Sequence, residues 1–231
     1  MPFFFIDYWY IVLVLPAFIL AAIAQAKVKS TYSKFALVIS KKGYTADQVA
    51  RIILDKNGLY NTKIERIRGN LTDHYDPRDN TVRLSETVYG SASVAAIGIA
   101  AHEVGHAVQH AENYAPIQLR TSIIPITNFG AGVSPILLLV GLLLGSHPLV
   151  MFGIALYSLM ALFQLVTLPV EFNASRRAIE TIERYDILSR EESDQARQVL
   201  KSAAMTYVAA LLVSLMQILR LLLLFGGSRR D

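Results

Sequence analysis

The 231-residue chain contains no cysteine, so neither a disulfide framework nor a thiolate metal site is open to it. Any zinc must be held by histidine and carboxylate. Charge is scarce too: Asp, Glu, Lys and Arg make up 17% of the residues against 53% hydrophobic, a balance outside that of soluble domains. The first 26 residues hold no Lys or Arg. A cleaved secretory signal wants a basic start, so the opening apolar run is expected to remain as an uncleaved anchor. No basic stripe with interleaved aromatics is present, which excludes nucleic acid as a partner. The net charge of +4 sits beside apolar runs, where it reads as membrane flanking. There are no internal repeats and no low-complexity tracts.

Four apolar runs account for the composition: 3–26, 123–144, 149–170 and 203–225. A helix of the first run's length covers roughly 36 Å, enough to cross a bilayer. Tyr8, Trp9 and Tyr10 suit one interface, Lys27, Lys29 and Lys34 the other, and Asp7 falls just outside the hydrocarbon. The second run is broken by Pro125, Asn128, Gly130, Gly132, Ser134 and Pro135, which predicts a kink or close packing. Gly145-Ser146-His147-Pro148 is a tight turn, so runs two and three form a helical hairpin, and His147 is expected to be a simple turn residue. Arg220, near the end of the fourth run, is expected to snorkel. Residues 27–122 hold 13 Lys/Arg and residues 171–202 hold 6. With four spans both segments share one side, and the positive-inside rule makes that side cytoplasmic. Arg229 and Arg230 in the tail argue mildly against it.

Between the first two runs the chain is polar. Residues 33–42 read as a helix stopped at Gly43. Thr45 and Gln48 form a capping box for a second helix with Val49, Ile52 and Ile53 on its apolar face, ending at Asn57-Gly58. Residues 71–75 and 81–84 read as strands flanking the turn Asp76-Pro77-Arg78-Asp79-Asn80. Such a hairpin either offers an edge strand to an extended peptide or merely covers a helix. Residues 171–202 predict two further helices, at 174–185 and 191–201.

The chemistry concentrates in His102-Glu103-Val104-Gly105-His106. Histidines four apart on a helix share a face, with Cβ atoms roughly 5–6 Å apart, so both imidazoles reach one metal ion. Glu103 stands where a general base takes the proton of an attacking water. Ser91-Ala92-Ser93 supplies N-cap residues, and no proline interrupts the segment before Pro116. Catalytic zinc sites use three protein ligands, and two are in this motif. His110, a further four residues on, drifts around the helix. Glu112 stands at a metzincin's third-ligand position but lacks the glycine that turns the chain back. Glu171, the next acid, is a third ligand, an interface marker or a helix cap on the residues alone. His74, between acids in Thr72-Asp73-His74-Tyr75-Asp76, is either a solvated turn residue or a group that serves an oxyanion or orients a ligand; Tyr75 and Arg176 are the other oxyanion candidates.

Rival functions separate on placement. Intramembrane cleavage usually wants an aspartate in another span, and runs two to four contain none. A metal transporter, or a metal-binding protein without hydrolytic activity, should carry its ligands in mid-membrane. Here Glu171 falls at a run's end, and only eight apolar residues directly precede His102. A purely structural zinc site leaves Glu103 without a role.

Three stretches resemble the YugP-like family of bacterial membrane zinc metallopeptidases: Leu71-Thr72-Asp73-His74-Tyr75-Asp76-Pro77, Ala100 through Ala107 with Gln109-His110, and Leu168-Pro169-Val170-Glu171-Phe172-Asn173-Ala174-Ser175-Arg176-Arg177. The order of the apolar runs agrees, so the resemblance covers nearly the whole chain. It implies a mainly α, polytopic helical membrane protein of about four spans, with a small α+β gluzincin-like zinc-protease domain at the cytoplasmic face. The expected organisation is a span at 1–26, the protease part with hairpin and motif helix at 27–122, and a membrane hairpin at 123–170. Polar helices at 171–202 carry the third ligand, and a last span and tail occupy 203–231. By the resemblance His102, His106 and Glu171 hold one Zn2+ per chain and Glu103 is the base. The expected partners are a protein or peptide substrate, which membrane association would suit, and the lipid bilayer of a bacterial cell. Substrate identity and oligomeric state stay open. In related gluzincins such as HtpX an aspartate follows the ligand glutamate by four residues. Ser175 holds that place here, so an orienting carboxylate comes from elsewhere or is absent.

Overall fold

A computed structural model describes residues 6–226; Phe3, Phe4 and Phe5 of the first run and Arg229 and Arg230 lie outside the described residues. A π-helical turn, Tyr10–Val14, leads into α1 (Leu15–Phe35), followed by α2 (Ala46–Lys56), β1 (Lys63–Ile67), β2 (His74–Asp76), β3 (Thr81–Ser85) and α3 (Val94–Ala111). Three long helices complete the chain: α4 (Ala115–Leu143), α5 (His147–Arg184) and α6 (Arg190–Phe225). Among the described residues, Tyr10–Phe35, α4, α5 and α6 are long and apolar enough to cross a membrane. Phe129, Ile136, Leu143 and Leu165 stand exposed on them, a surface suited to hydrocarbon rather than water. The chain is therefore a mainly α, polytopic membrane protein with one small sheet.

It divides into two compact units. Among the described residues, one comprises 6–24, Leu119–Leu168 and 205–226; the other comprises Gln25–Gln118 and Pro169–Ala204. In the first unit α4 and α5 form the expected hairpin, closed by Gly145 at φ +65°. Small residues let their backbones approach: buried Ser134 donates its hydroxyl to the Gly153 carbonyl at 2.9 Å. α4 runs as one helix through both Pro125 and Pro135. Two residues differ from expectation. His147 opens α5 and donates from Nε2 to the Phe225 carbonyl at 2.9 Å, tying the turn to the end of α6. Arg220 does not snorkel: it is buried, and its Nε donates to Asp7 Oδ2 at 2.8 Å. An opposite charge within reach holds a guanidinium more tightly than an extended, solvated rotamer does.

In the second unit α3 is the central element. Val94, Ala96, Ile97, Ala100, Ala101 and Val104 are fully or almost fully buried, packed with Val49, Ile53 and Leu54 of α2, Val82 and Leu84 of β3, Ile179 and Ile182 of α5, and Ala196 and Leu200 of α6. The capping box forms as read, with the Thr45 N–H donating to Gln48 Oε1 at 3.1 Å. The hairpin also forms, with β2 antiparallel to β3 and His74 opposite Arg83. It starts late, because Leu71 has φ +55° and is no strand residue. A third strand, β1, pairs parallel to β3, giving the order β1-β3-β2. The sequence reading lacks it because its partner is remote and its alternation is weak, with a mostly exposed pattern.

Residues 33–42 are not a separate helix. α1 continues to Phe35, and Ile39 then bridges antiparallel to Ser93. The Lys41 N–H donates to buried Glu192 at 2.8 Å, so tertiary partners take the amides a helix would have used. The helices expected at 174–185 and 191–201 are the ends of α5 and α6, continuous with the apolar runs.

Candidate active site

The motif helix starts where the sequence puts it: Ser93 caps α3, accepting from the Ala96 N–H at 3.2 Å. His102 and His106 then stand one turn apart with ring centroids 4.7 Å apart and planes at 83°. Gly105 between them decides what meets them. A Cβ there would lie 2.8 Å from the Ala174 carbonyl oxygen, so the absence of a side chain lets α5 pass against α3. Glu171, one turn before that crossing, reaches the histidine pair. Its Oε2 lies 3.3 Å from His102 Nε2 and 3.7 Å from His106 Nε2, and its side chain is 4% exposed.

The donor set fits zinc. Tetrahedral coordination at ordinary Zn–N and Zn–O lengths separates ligand atoms by about 3.3 Å. The two separations to Glu171 are 3.3 and 3.7 Å, and all three ligand atoms lie within 4.8 Å of one another. Among the described residues His102, His106 and Glu171 form the group able to hold a metal ion. The other ring nitrogens are engaged: His102 Nδ1 is 3.1 Å from Ser175 Oγ, and His106 Nδ1 is 3.0 Å from Gln109 Oε1. Electrostatics agree. Burial works against charge on His106, but the Glu171 hydrogen bond and the charges of Glu103 and Glu171 outweigh it, so the ring is shifted toward holding a proton. A field that retains a proton also favours a divalent cation there. Glu103 is buried beside His102 and close enough for its charge to act on His106.

The other candidates lie in different surroundings. Strand alternation separates His74 from Tyr75. Tyr75 turns toward α3, 5.5 Å from the His110 ring. His74 faces the other way, onto an open polar surface with Asp76, Arg78, Asp79 and Arg83, and its Nδ1 is 2.9 Å from the Thr72 carbonyl. Hydrogen bonds from Arg78, with added charge from Arg78 and Arg83, hold Asp76 well below the usual carboxylate range. Arg176 is exposed and pairs with Glu180, and Glu112 pairs with Arg177 at 2.7 Å. The structure thus joins His102, His106 and Glu171, with His74 on the face of β2 opposite Tyr75. Sequence reasoning named Gln109 and Ser175 but gave neither a role at the histidines. Their signals were positional: Gln109 is three residues from His106 and Ser175 four from Glu171, each on the facing side of its helix.

A family model described as "Putative neutral zinc metallopeptidase" matches residues 10–226. The chain is 49% identical over 222 residues to "Putative membrane protease YugP" of Bacillus subtilis (strain 168), an alignment covering 96% of this chain and 99% of the relative. No solved structure matches. With the family model spanning all but the ends, and half the residues shared along a relative's whole length, this chain belongs to the neutral zinc metallopeptidase family.

Proposed function

We propose that this protein is a membrane-anchored zinc endopeptidase of the bacterial cell membrane, with one zinc per chain and its site facing the cytoplasm. The observation that carries the reading is the convergence of Glu171 on the His102–His106 pair beside buried Glu103. A zinc ion held by these three residues supplies Lewis acidity and an acidified water, whose pKa falls to about 7. Glu103 accepts the proton of the attacking water on its carboxylate and delivers it to the leaving amine, which would otherwise depart as an amide anion. The substrate is an extended chain segment. The outer edge of β2, whose other side pairs with β3, has backbone groups that suit an added strand alongside α3. An unfolded or membrane-associated protein supplies such a segment.

The test is hydrolysis of a quenched unfolded protein by the detergent-purified chain, with and without chelator. Glu103→Gln is expected to keep zinc and lose about 10²–10⁴-fold in rate, the usual contribution of a general base. Glu171→Ala should lose zinc and activity together, whereas Glu180→Ala should lose neither. Unchanged turnover in Glu103→Gln refutes the mechanism. Orientation rests on the 13 and 6 Lys/Arg of segments 27–122 and 171–202. Cysteines placed singly at exposed Lys56 and Glu191 should resist labelling from outside, while one at Ser146 should react; the reverse pattern overturns the orientation.

A further inference from the structure

A line of hydrogen bonds leads away from His106, and its polarity is set at the far end. Arg177 can only donate. Its Nε lies 2.7 Å from an Asn173 side-chain atom, which is therefore the amide oxygen. That oxygen also accepts from Gln109 Nε2 at 2.9 Å, and Gln109 Nε2 donates again to the Val170 carbonyl at 2.9 Å, which can only accept. Two obligate acceptors on one side of the Gln109 amide turn its Oε1 toward His106 Nδ1, 3.0 Å away. An acceptor there requires the proton on Nδ1, so Nε2, the nitrogen facing Glu171, presents its electron pair. Gln109 is fully buried, which bars water from taking its place. Arg177 is itself fixed, by Glu112 at 2.7 Å and by the face of Tyr114 at 5.9 Å.

We infer that Gln109, locked in one amide orientation by Arg177 through Asn173, is the positioning residue of the metal site. It presents His106 Nε2 to the ion. Through Val170 it also holds the α5 main chain next to Glu171, so one side chain registers ligands from two helices. A neutral amide does this without adding negative charge to the site. The inference rests on the metal-site reading above, and its experiment separates the two.

The experiment measures zinc affinity by chelator competition and the visible absorption of the cobalt-substituted full-length protein, whose intensity and band positions report ligand geometry. His106→Ala tests the underlying reading and should abolish tight binding; normal binding there overturns the site and this inference with it. Gln109→Met keeps the volume and removes the amide. It is expected to weaken zinc about 10–100-fold, the usual cost of losing a partner that orients a ligand, and to alter the cobalt spectrum. Wild-type affinity and spectrum in Gln109→Met, with binding lost in His106→Ala, overturn the inference alone. Should Gln109→Met fail to fold, Asn173 decides. Asn173→Asp preserves both accepted hydrogen bonds and should bind zinc more tightly than Asn173→Leu, which frees the Gln109 amide and should reproduce the weakened affinity. Equal behaviour of the two Asn173 variants overturns the inference.

Discussion

Ser175 on α5 and His102 on α3, 73 residues apart in the chain, meet at 3.1 Å between Oγ and Nδ1. The hydroxyl takes the place beside a ligand histidine that a carboxylate takes in many zinc sites. Together with Gln109 at His106, it leaves both histidines oriented by uncharged groups. The nearby negative charge is then confined to Glu171 and Glu103, close to where zinc and water would react.

That arrangement predicts opposite responses to two substitutions. Ser175→Ala leaves His102 Nδ1 without this partner and is expected to weaken zinc about 10–100-fold. Ser175→Asp restores a carboxylate, raises the basicity of His102 and should tighten zinc. Competition with a chromogenic chelator measures both, and an Ala variant with unchanged affinity removes Ser175 from the site.

Gly105→Ala sets helix propensity against packing. Alanine is favoured over glycine in a helix by about 1 kcal/mol. Here its Cβ would lie 2.8 Å from the Ala174 carbonyl oxygen, a backbone atom with no rotamer to yield. Overpacking of this kind costs about 1–3 kcal/mol, so the variant should melt lower despite its better helix former. Because α5 carries Glu171 and Ser175, it should lose zinc as well. A variant that is more stable and fully metallated would show that the helices part freely.

These contacts mark where the sequence stopped being informative. The His102–Glu103–His106 set, the Thr45–Gln48 box and the turn before Asn80 are local patterns, read within one helical turn or hairpin. Four apolar runs likewise announce four helices. Strand β1 pairs with β3 across the intervening β2, and Ile39 meets Ser93 only after the chain has folded back. Gln109 and Ser175 were visible as residues within the family-like stretches. Their roles depend on the closeness of α3 and α5, which Gly105 permits and no spacing rule reports.

Asp7 and Arg220 pose the same problem, being 213 positions apart. Arg220 also lies 5.4 Å from the Tyr10 ring, and Asp7 Oδ1 accepts the Tyr10 N–H at 2.9 Å. Arg220 is buried and Asp7 partly so, and removing either strands the charge of the other away from bulk water. Arg220→Leu and Asp7→Leu should each lower the unfolding temperature in detergent, and the double variant should recover much of the loss. Strict additivity of the two losses in that double-mutant cycle would show that the charges act independently.

The metal site should also carry a pH signature. In the zinc-free protein, burial alone would push His106 down, but the hydrogen bond and charge of Glu171 with the charge of Glu103 leave it raised. The extra proton belongs on Nε2, since Nδ1 already faces Gln109 Oε1. Zinc and that proton compete for the same electron pair, so binding below the raised value must expel the proton. Zinc affinity should therefore climb as pH rises toward that value and then flatten with respect to this group. Stability of the zinc-free protein has the opposite sign. A group whose folded value is raised contributes stability that is fully present below its unfolded value and is lost as pH rises through the folded value. Zinc-free protein should thus lose this increment on going from mildly acidic to alkaline buffer, over the range in which zinc comes to protect it most. Paired thermal melts with zinc and with chelator across that range measure both slopes. In His106→Ala the zinc-free slope from this group should vanish. A zinc-free stability that instead rises through the same window by this residue's contribution would reverse the assigned sign and remove Glu171 and Glu103 as the charges acting on His106.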